Sequence, residues 1–252
     1  MNTSIIARKS IENRSRKAMS NSQVGTYKFE AFPFHLDVRG KLSMGVLGKH
    51  LLNCADAYAA ERGFDVVEQG GEHYTWVLSR LAIELEDLPS CHESFSIQTW
   101  VENVYRLFAD RNFIICNKDE KPIGYVRSVW AMISMETRNP ANLLDLHGDR
   151  ITNSICEKEC PIAKPGRIKV SQQEAVSEYV AKYSDLDING HVNSIKYIEH
   201  ILDIFPLDIY KKKALKRFEI AYVAESYYGD LLCFYVEEKN ENEYDVEIKK
   251  NN

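Results

Sequence analysis

The sequence predicts an α+β protein built twice over, each half a curled antiparallel sheet wrapped around one long helix. Three observations carry this. An eight-residue segment recurs at an offset of 150 with no gap: Leu36-Asp37-Val38-Arg39-Gly40-Lys41-Leu42-Ser43 aligns with Leu186-Asp187-Ile188-Asn189-Gly190-His191-Val192-Asn193. Apolar residues at helical spacing follow each copy. Runs of alternating apolar residues follow each helix, and a lone helix beside such a meander must bury its stripe against the sheet.

In the first half, Tyr27, Phe29 and Ala31 alternate as a strand until Pro33 breaks the run. Leu47, Leu51, Ala55 and Tyr58 mark the helix, with Gly63 as its stop. After Gly70-Gly71 come four strands: Trp76 to Leu85, a run through Phe95, Ile97 and Thr99, Phe113 to Cys116, and Pro122 to Met135. Asn117 to Lys121 is the turn between the last two. In the second half, Val176 to Val180 is a strand. Val192, Ile195, Ile198, Ile201 and Phe205 mark a helix ended by Pro206. Strands follow at Phe218 to Tyr222, Leu231 to Val236 and Tyr244 to Ile248. This is the pattern of a tandem, or double, hotdog. The predicted division is a basic disordered leader over 1–20, a first unit over 21–138, a polar linker over 139–170 and a second unit over 171–252.

The second half has no partner for the Pro122 to Met135 strand. Lys249 to Asn252 falls where the first half has its turn. The sequence therefore predicts a C-terminally truncated chain, or one whose open strand edge another chain covers.

Composition excludes several classes. With 252 residues, 44% hydrophobic and 27% charged, the chain is too apolar to be disordered. No apolar run approaches the roughly 18 residues of a spanning helix. The net charge of −5 lacks the basic excess of a general nucleic-acid binder. The six Cys form neither a compact disulfide framework nor paired metal knuckles, so reduced thiols in a cytoplasmic protein are expected. In the leader, Arg8, Lys9, Arg14, Arg16 and Lys17 face a single acid, Glu12, without the apolar core of a secretory signal. A disordered extension is expected there rather than plastid-type targeting. Gly45 to Lys49 lies inside a helix and lacks phosphate-loop spacing, so no cofactor is implied.

The two repeat copies differ where chemistry would sit. Asp187, Asn189, His191 and Asn193 alternate in the second copy, against Asp37, Arg39, Lys41 and Ser43 in the first. Helix capping explains one or two such residues, not the His. A helix N-terminus beside them offers free N–H groups for an oxyanion.

The sequence resembles the acyl-acyl carrier protein thioesterases of plant plastids and their bacterial relatives, from about residue 25 to the C-terminus. The likeness rests on Asn189-Gly-His191-Val192-Asn193 followed by Lys196-Tyr197, on Thr75-Trp76-Val77-Leu78-Ser79-Arg80, on Ser128-Val129-Trp130, and on Tyr222-Val223-Ala224-Glu225-Ser226 with Gly229-Asp230 beyond. It implies hydrolysis of the thioester between a fatty acyl chain and its carrier protein, terminating chain elongation in fatty acid biosynthesis. It places the catalytic network on Asp187, Asn189, His191 and Glu225. The first half would supply much of the acyl tunnel, and Asn193, Trp76, Arg80 and Ser226 are the expected substrate contacts. Where older accounts of the family put a Cys nucleophile, this chain has Ser226, which argues against an obligatory thiol.

The residues suit that chemistry in their own right. Glu225 in an apolar cleft is the expected general base for water. His191 and Asn189 would position the water and polarise the carbonyl, and Asp187 would orient one of them. The roles remain open to permutation. The partner is an acyl carrier protein, which is acidic. The basic cluster Lys211, Lys212, Lys213, Lys216 and Arg217 is the expected contact, with Arg106, Arg111 and Arg127 as a second set. A bacterial cytoplasmic homodimer is expected. The alternatives are an acyl-CoA thioesterase and a non-catalytic acyl-thioester binding module.

Overall fold

The structure, a computed structural model, describes residues 23–166, 168 and 170–251. The predicted leader over 1–20 lies outside them. No helix among the described residues is long and apolar enough to cross a membrane.

The first half opens with β1 (Gly25–Glu30) and a short 3-10 turn at Pro33–His35, then α1 (Met44–Arg62). Ser43 caps α1 by accepting from the Val46 N–H at 3.3 Å. Gly63 ends the helix at φ 71°, where a side chain would be strained. Leu47, Leu51, Ala55 and Tyr58 of α1, the stripe that the spacing predicts, are buried, and Cys54 is buried with them. Each such Leu contributes about 1.5–3 kcal/mol by leaving water. Five strands follow: β2 (Val67–Gln69), β3 (Glu72–Leu85), β4 (Ser94–Val104), β5 (Ala109–Cys116) and β6 (Pro122–Ser134). They form one antiparallel sheet in the order β1-β4-β5-β6-β3-β2.

The expected linker is not a loose tether. It carries α2 (Leu143–His147) and α3 (Asp149–Thr152). Leu143 and Ile151 are fully buried, packed with Tyr58, Phe64, Val101 and Met132 of the first half. Cys160 and Ile162 are buried against Trp100 and Ile114. A few apolar residues anchor a segment that is polar on average.

The second half repeats the plan with β7 (Ser177–Val180), α4 (Ser194–Asp203), α5 (Leu207–Lys212), β8 (Arg217–Ala221), β9 (Leu231–Asn240) and β10 (Glu243–Asn251). Pro206 ends the predicted helix early and caps the separate α5. The strands do not form one sheet. β7, β9 and β10 pair in the order β10-β9-β7, whereas β8 crosses to the first sheet. It runs antiparallel to the far end of β3, from Arg80 opposite Ala221 to Glu84 opposite Arg217. Among the described residues β10 pairs only with β9.

The two long helices meet. A Cβ on Gly48 of α1 would come within 2.6 Å of the Ile195 side chain of α4. Glycine there permits the close approach that makes one core cluster of Leu47, Leu51, Ile195 and Ile198.

Candidate active site

The repeated octapeptide is a loop built alike in both halves. Asp37 Oδ1 accepts from the Arg39 N–H at 2.8 Å and the Lys41 N–H at 3.2 Å. Asp187 Oδ1 accepts from the Asn189 N–H at 2.8 Å and the His191 N–H at 3.1 Å. Gly40 and Gly190 turn the two loops at φ 72° and 78°. Asp187 thus holds Asn189 and His191 through their backbones, and the first half uses the same bond where no such chemistry is expected. Asn193 caps α4 by accepting from the Ile195 N–H at 2.9 Å, as Ser43 caps α1. Helix capping therefore accounts for Asn193. Two N–H groups of the first turn of α4 are occupied: Ile195 donates to Asn193 Oδ1 and Lys196 to the Asn193 carbonyl. Asn189 and His191 are the positions where the loops diverge in character.

The loop is anchored from below by Asp185, which is 2% exposed. It accepts from Tyr179 Oη at 2.8 Å and the Lys182 N–H at 2.7 Å, and faces His200 Nε2 at 3.1 Å. Burial alone would raise its carboxyl; these donors outweigh burial and hold it below the usual carboxylate range.

Glu225 lies not on a strand but in the connection from β8 to β9. Tyr222 fixes the start of that connection by donating to the Ser194 carbonyl at 2.8 Å. The Val192 N–H donates to the Ser226 carbonyl at 2.8 Å, and His191 bridges Tyr227. These bonds zip the connection to the octapeptide loop and place Glu225 Oε2 3.6 Å from His191 Nε2. The His191 ring meets Tyr227 edge-on at 5.0 Å, and the Tyr227 hydroxyl donates to Glu225 Oε2 at 3.4 Å. The expected apolar setting for Glu225 is not found. Its side chain is 37% exposed, and Oε1 is paired with Arg138, a residue that sequence reasoning missed.

A cavity of about 710 Å³ opens at this set and runs into the first half. Asp187, Asn189, His191, Asn193 and Glu225 line it, as does Trp76 from β3. Its deeper wall includes Ala59, Phe64, Val101, Ala109 and Ile151, all buried. Arg111 also faces it, only 6% exposed, 4.6 Å over the Tyr58 ring; burial pulls the guanidinium down to about 10, so it stays charged at neutral pH. The structure does not bring Arg80 or Ser226 to the cavity. The register of β3 slips between Leu78 and Arg80, ending the run of cavity-lining positions at Ser79. Ser226 is 5% exposed.

Much of the expected basic surface is engaged internally. Arg217 pairs with Glu84 and Glu219, Lys216 donates to the Glu86 carbonyl at 3.1 Å, and Lys213 to the Glu241 carbonyl at 2.6 Å. The second set does not form a surface: Arg111 is buried, and Arg127 pairs with Glu102 at 2.6 Å.

A double hotdog with a carboxylate and an imidazole facing each other at the mouth of an internal cavity is an arrangement suited to acyl-thioester chemistry. Residues 23–148 match the acyl-ACP thioesterase N-terminal domain, residues 168–251 match the acyl-ACP thioesterase C-terminal domain, and the chain belongs to that family. It is similar to an acyl-ACP thioesterase from Bacteroides thetaiotaomicron of known crystal structure, at 60% identity and a TM-score of 0.86, over 92% of this chain and 95% of that one. It shares its fold with a 12:0-ACP thioesterase from Umbellularia californica, at a TM-score of 0.74 and 16% identity over 94% of each chain. A chloroplastic palmitoyl-acyl carrier protein thioesterase of Gossypium hirsutum is 24% identical over 221 residues, which are 83% of this chain and 54% of that protein. The chain spans about half the length, or less, of the curated relatives it matches.

Proposed function

We propose that this protein hydrolyses the thioester joining a fatty acyl chain to acyl carrier protein, releasing the free fatty acid. The observation that carries the reading is the Glu225–His191 pair at the mouth of a cavity that continues into an apolar interior. In this reading the acyl chain lies along Trp76, Ala59 and Ile151, with its carbonyl between Asn189 and His191. Glu225 Oε2 takes a proton from water as the water oxygen bonds to the carbonyl carbon. Asn189 and His191 stabilise the resulting oxyanion by hydrogen bonding. The tetrahedral species collapses, the C–S bond breaks, and the leaving sulfur takes up the proton held on Glu225. Asp187 and Asn193 shape the loop and take no proton.

Carrier protein is acidic, and Lys212, at the end of α5, is exposed to meet it; Lys213 and Lys216, bonded to neutral oxygens, add positive field, whereas Arg217 is neutralised by Glu84 and Glu219. Such steering weakens as salt rises. The likeness to a bacterial thioesterase over nearly the whole chain supports a role at the end of fatty acid synthesis in the cytoplasm.

The test is hydrolysis of a panel of short to long acyl chains, each presented on carrier protein and on CoA, with Glu225→Gln as control. The reading expects higher kcat/KM on carrier protein, falling with salt, and little turnover by the variant. Higher kcat/KM on CoA would assign the carrier differently. Binding without turnover would make the protein an acyl-thioester binder.

A further inference from the structure

Arg138 comes from the first half of the chain, at the turn where β6 gives way to the segment leading to α2. It lines the cavity mouth beside Met135 and Glu225. Its backbone stands at φ 59°, a left-handed conformation that favours glycine and is uncommon for a long side chain. The turn is tied down around it: the Arg138 N–H donates to the Ser134 carbonyl at 2.9 Å, and the Thr137 N–H to Ser134 Oγ at 3.1 Å. This backbone geometry carries the guanidinium across 87 residues of sequence to Glu225 Oε1.

The two carboxylate oxygens of Glu225 are therefore in different situations. Oε1 is held by Arg138. Oε2 faces His191 Nε2 at 3.6 Å and the Tyr227 hydroxyl at 3.4 Å, on the side of the octapeptide loop. Glu225 sits on a connection rather than in a strand, and about a third of its side chain is exposed. Within its own segment the Tyr227 hydroxyl, at 3.4 Å from Oε2, is a long and weak restraint on the rotation of the carboxylate. The guanidinium supplies the stronger restraint, a charge-assisted bond from Arg138 Nη2 to Oε1, while Nη1 lies against Met135 Sδ.

We propose that Arg138 is a positioning residue for thioester hydrolysis: it holds Glu225 Oε1 so that Oε2 is the oxygen presented to water beside His191. The inference rests on the reading of Glu225 as general base. It makes the site joint property of the two halves, with the first half supplying the clamp as well as the cavity. Arg138 touches neither the reacting carbon nor the water, so its removal slows the chemical step and leaves substrate binding in place. Misplacing a catalytic group by about an ångström costs on the order of 100-fold.

The experiment uses three variants of the full chain: Arg138→Gly, Arg138→Lys and Glu225→Gln, with the double variant R138G/E225Q. Glycine suits the backbone at φ 59°, so R138G keeps the turn and is expected to melt no lower than the parent. The expected result is a fall in kcat of about 10- to 100-fold in R138G with KM within about threefold. R138K recovers part of the loss, because an ammonium supplies charge without the fork. Added guanidinium ion restores part of the activity of R138G and none of E225Q. In the E225Q background, R138G causes no further loss. Parental kcat in R138G overturns the proposal. A raised KM with unchanged kcat also overturns it, assigning Arg138 to substrate binding, as do additive losses in the double variant. If E225Q itself turns over normally, the general-base reading fails, and that result is separate from the Arg138 variants.

Discussion

His147 gives a prediction whose size follows from the structure. It ends α2, is 2% exposed and stacks on Trp76 at 5.7 Å with the rings 6° apart. Nε2 lies 3.2 Å from Met132 Sδ, and Nδ1 has no hydrogen-bond partner among the described residues. Burial, aided by the nearby Arg150 charge, pushes the imidazole down to about 4, so the folded protein keeps it neutral. In the unfolded chain it titrates near 6.5. Between those values the unfolded state binds the extra proton, so stability is fully present above about pH 6.5 and is lost as pH falls toward 4. At pH 4.5 the loss relative to pH 7 is roughly 2–3 kcal/mol by linkage. For a chain of this size that is roughly 5–10 °C in melting temperature. His147→Phe keeps the stack on Trp76, removes the orphaned Nδ1 and cannot protonate. Thermal melts of parent and variant at pH 7 and pH 4.5 test this. The parent should lose about 5–10 °C more than the variant between the two conditions. An equal drop in both proteins would mean that His147 does not carry the acid sensitivity. Trp76 lines the cavity, so His147 backs the cavity wall through this stack.

Three further outcomes are expected. Glu225→Gln should lower kcat by about 10²–10⁴-fold, the usual contribution of a general base. It should change stability by no more than about 1 kcal/mol, since its ion pairs are over a third exposed at the carboxylate; a large loss of melting temperature would make Glu225 structural. Ser226→Ala should retain substantial activity because Ser226 lies outside the cavity lining, and complete loss in steady-state assays would restore a nucleophile there. Ala59→Phe should fill the deep end of the cavity and shift the chain-length profile shorter. Each methylene excluded costs about 0.8 kcal/mol, so two of them reduce kcat/KM for the longest substrates by roughly 15-fold, and an unchanged profile would remove Ala59 from the acyl path.

The repeat, both long helices and nearly every strand are legible in the sequence because alternation and helical spacing record which face of each element is buried. The repeated octapeptide also announces the site loop. What the letters hide is how its residues divide. Asp187 and Asn193 look like members of a polar catalytic set, yet they perform backbone and capping roles that Asp37 and Ser43 perform in the first half. The comparison of the two copies held that signal: Asn189 and His191 are the positions that change character, against Arg39 and Lys41. The crossing of β8 to β3 is not legible, because period-two patterning gives a face and not a neighbouring strand. Arg138 is hidden for a related reason. It stands in the polar run Thr137-Arg138-Asn139-Pro140, which has the composition of an ordinary turn, and its contact with Glu225 exists only after both halves have folded.

In the proposed reaction water, activated by Glu225, attacks the thioester directly. Single-turnover hydrolysis of an acyl-carrier thioester in ¹⁸O-labelled water, quenched in acid and read by intact mass of the protein and of the fatty acid, tests it most directly. Direct attack leaves one ¹⁸O in the released fatty acid and protein of unaltered mass at every time point. A protein species heavier by the acyl group, on Ser226, a cysteine or any other side chain, or ¹⁸O delivered to Glu225 instead of the fatty acid, would contradict it.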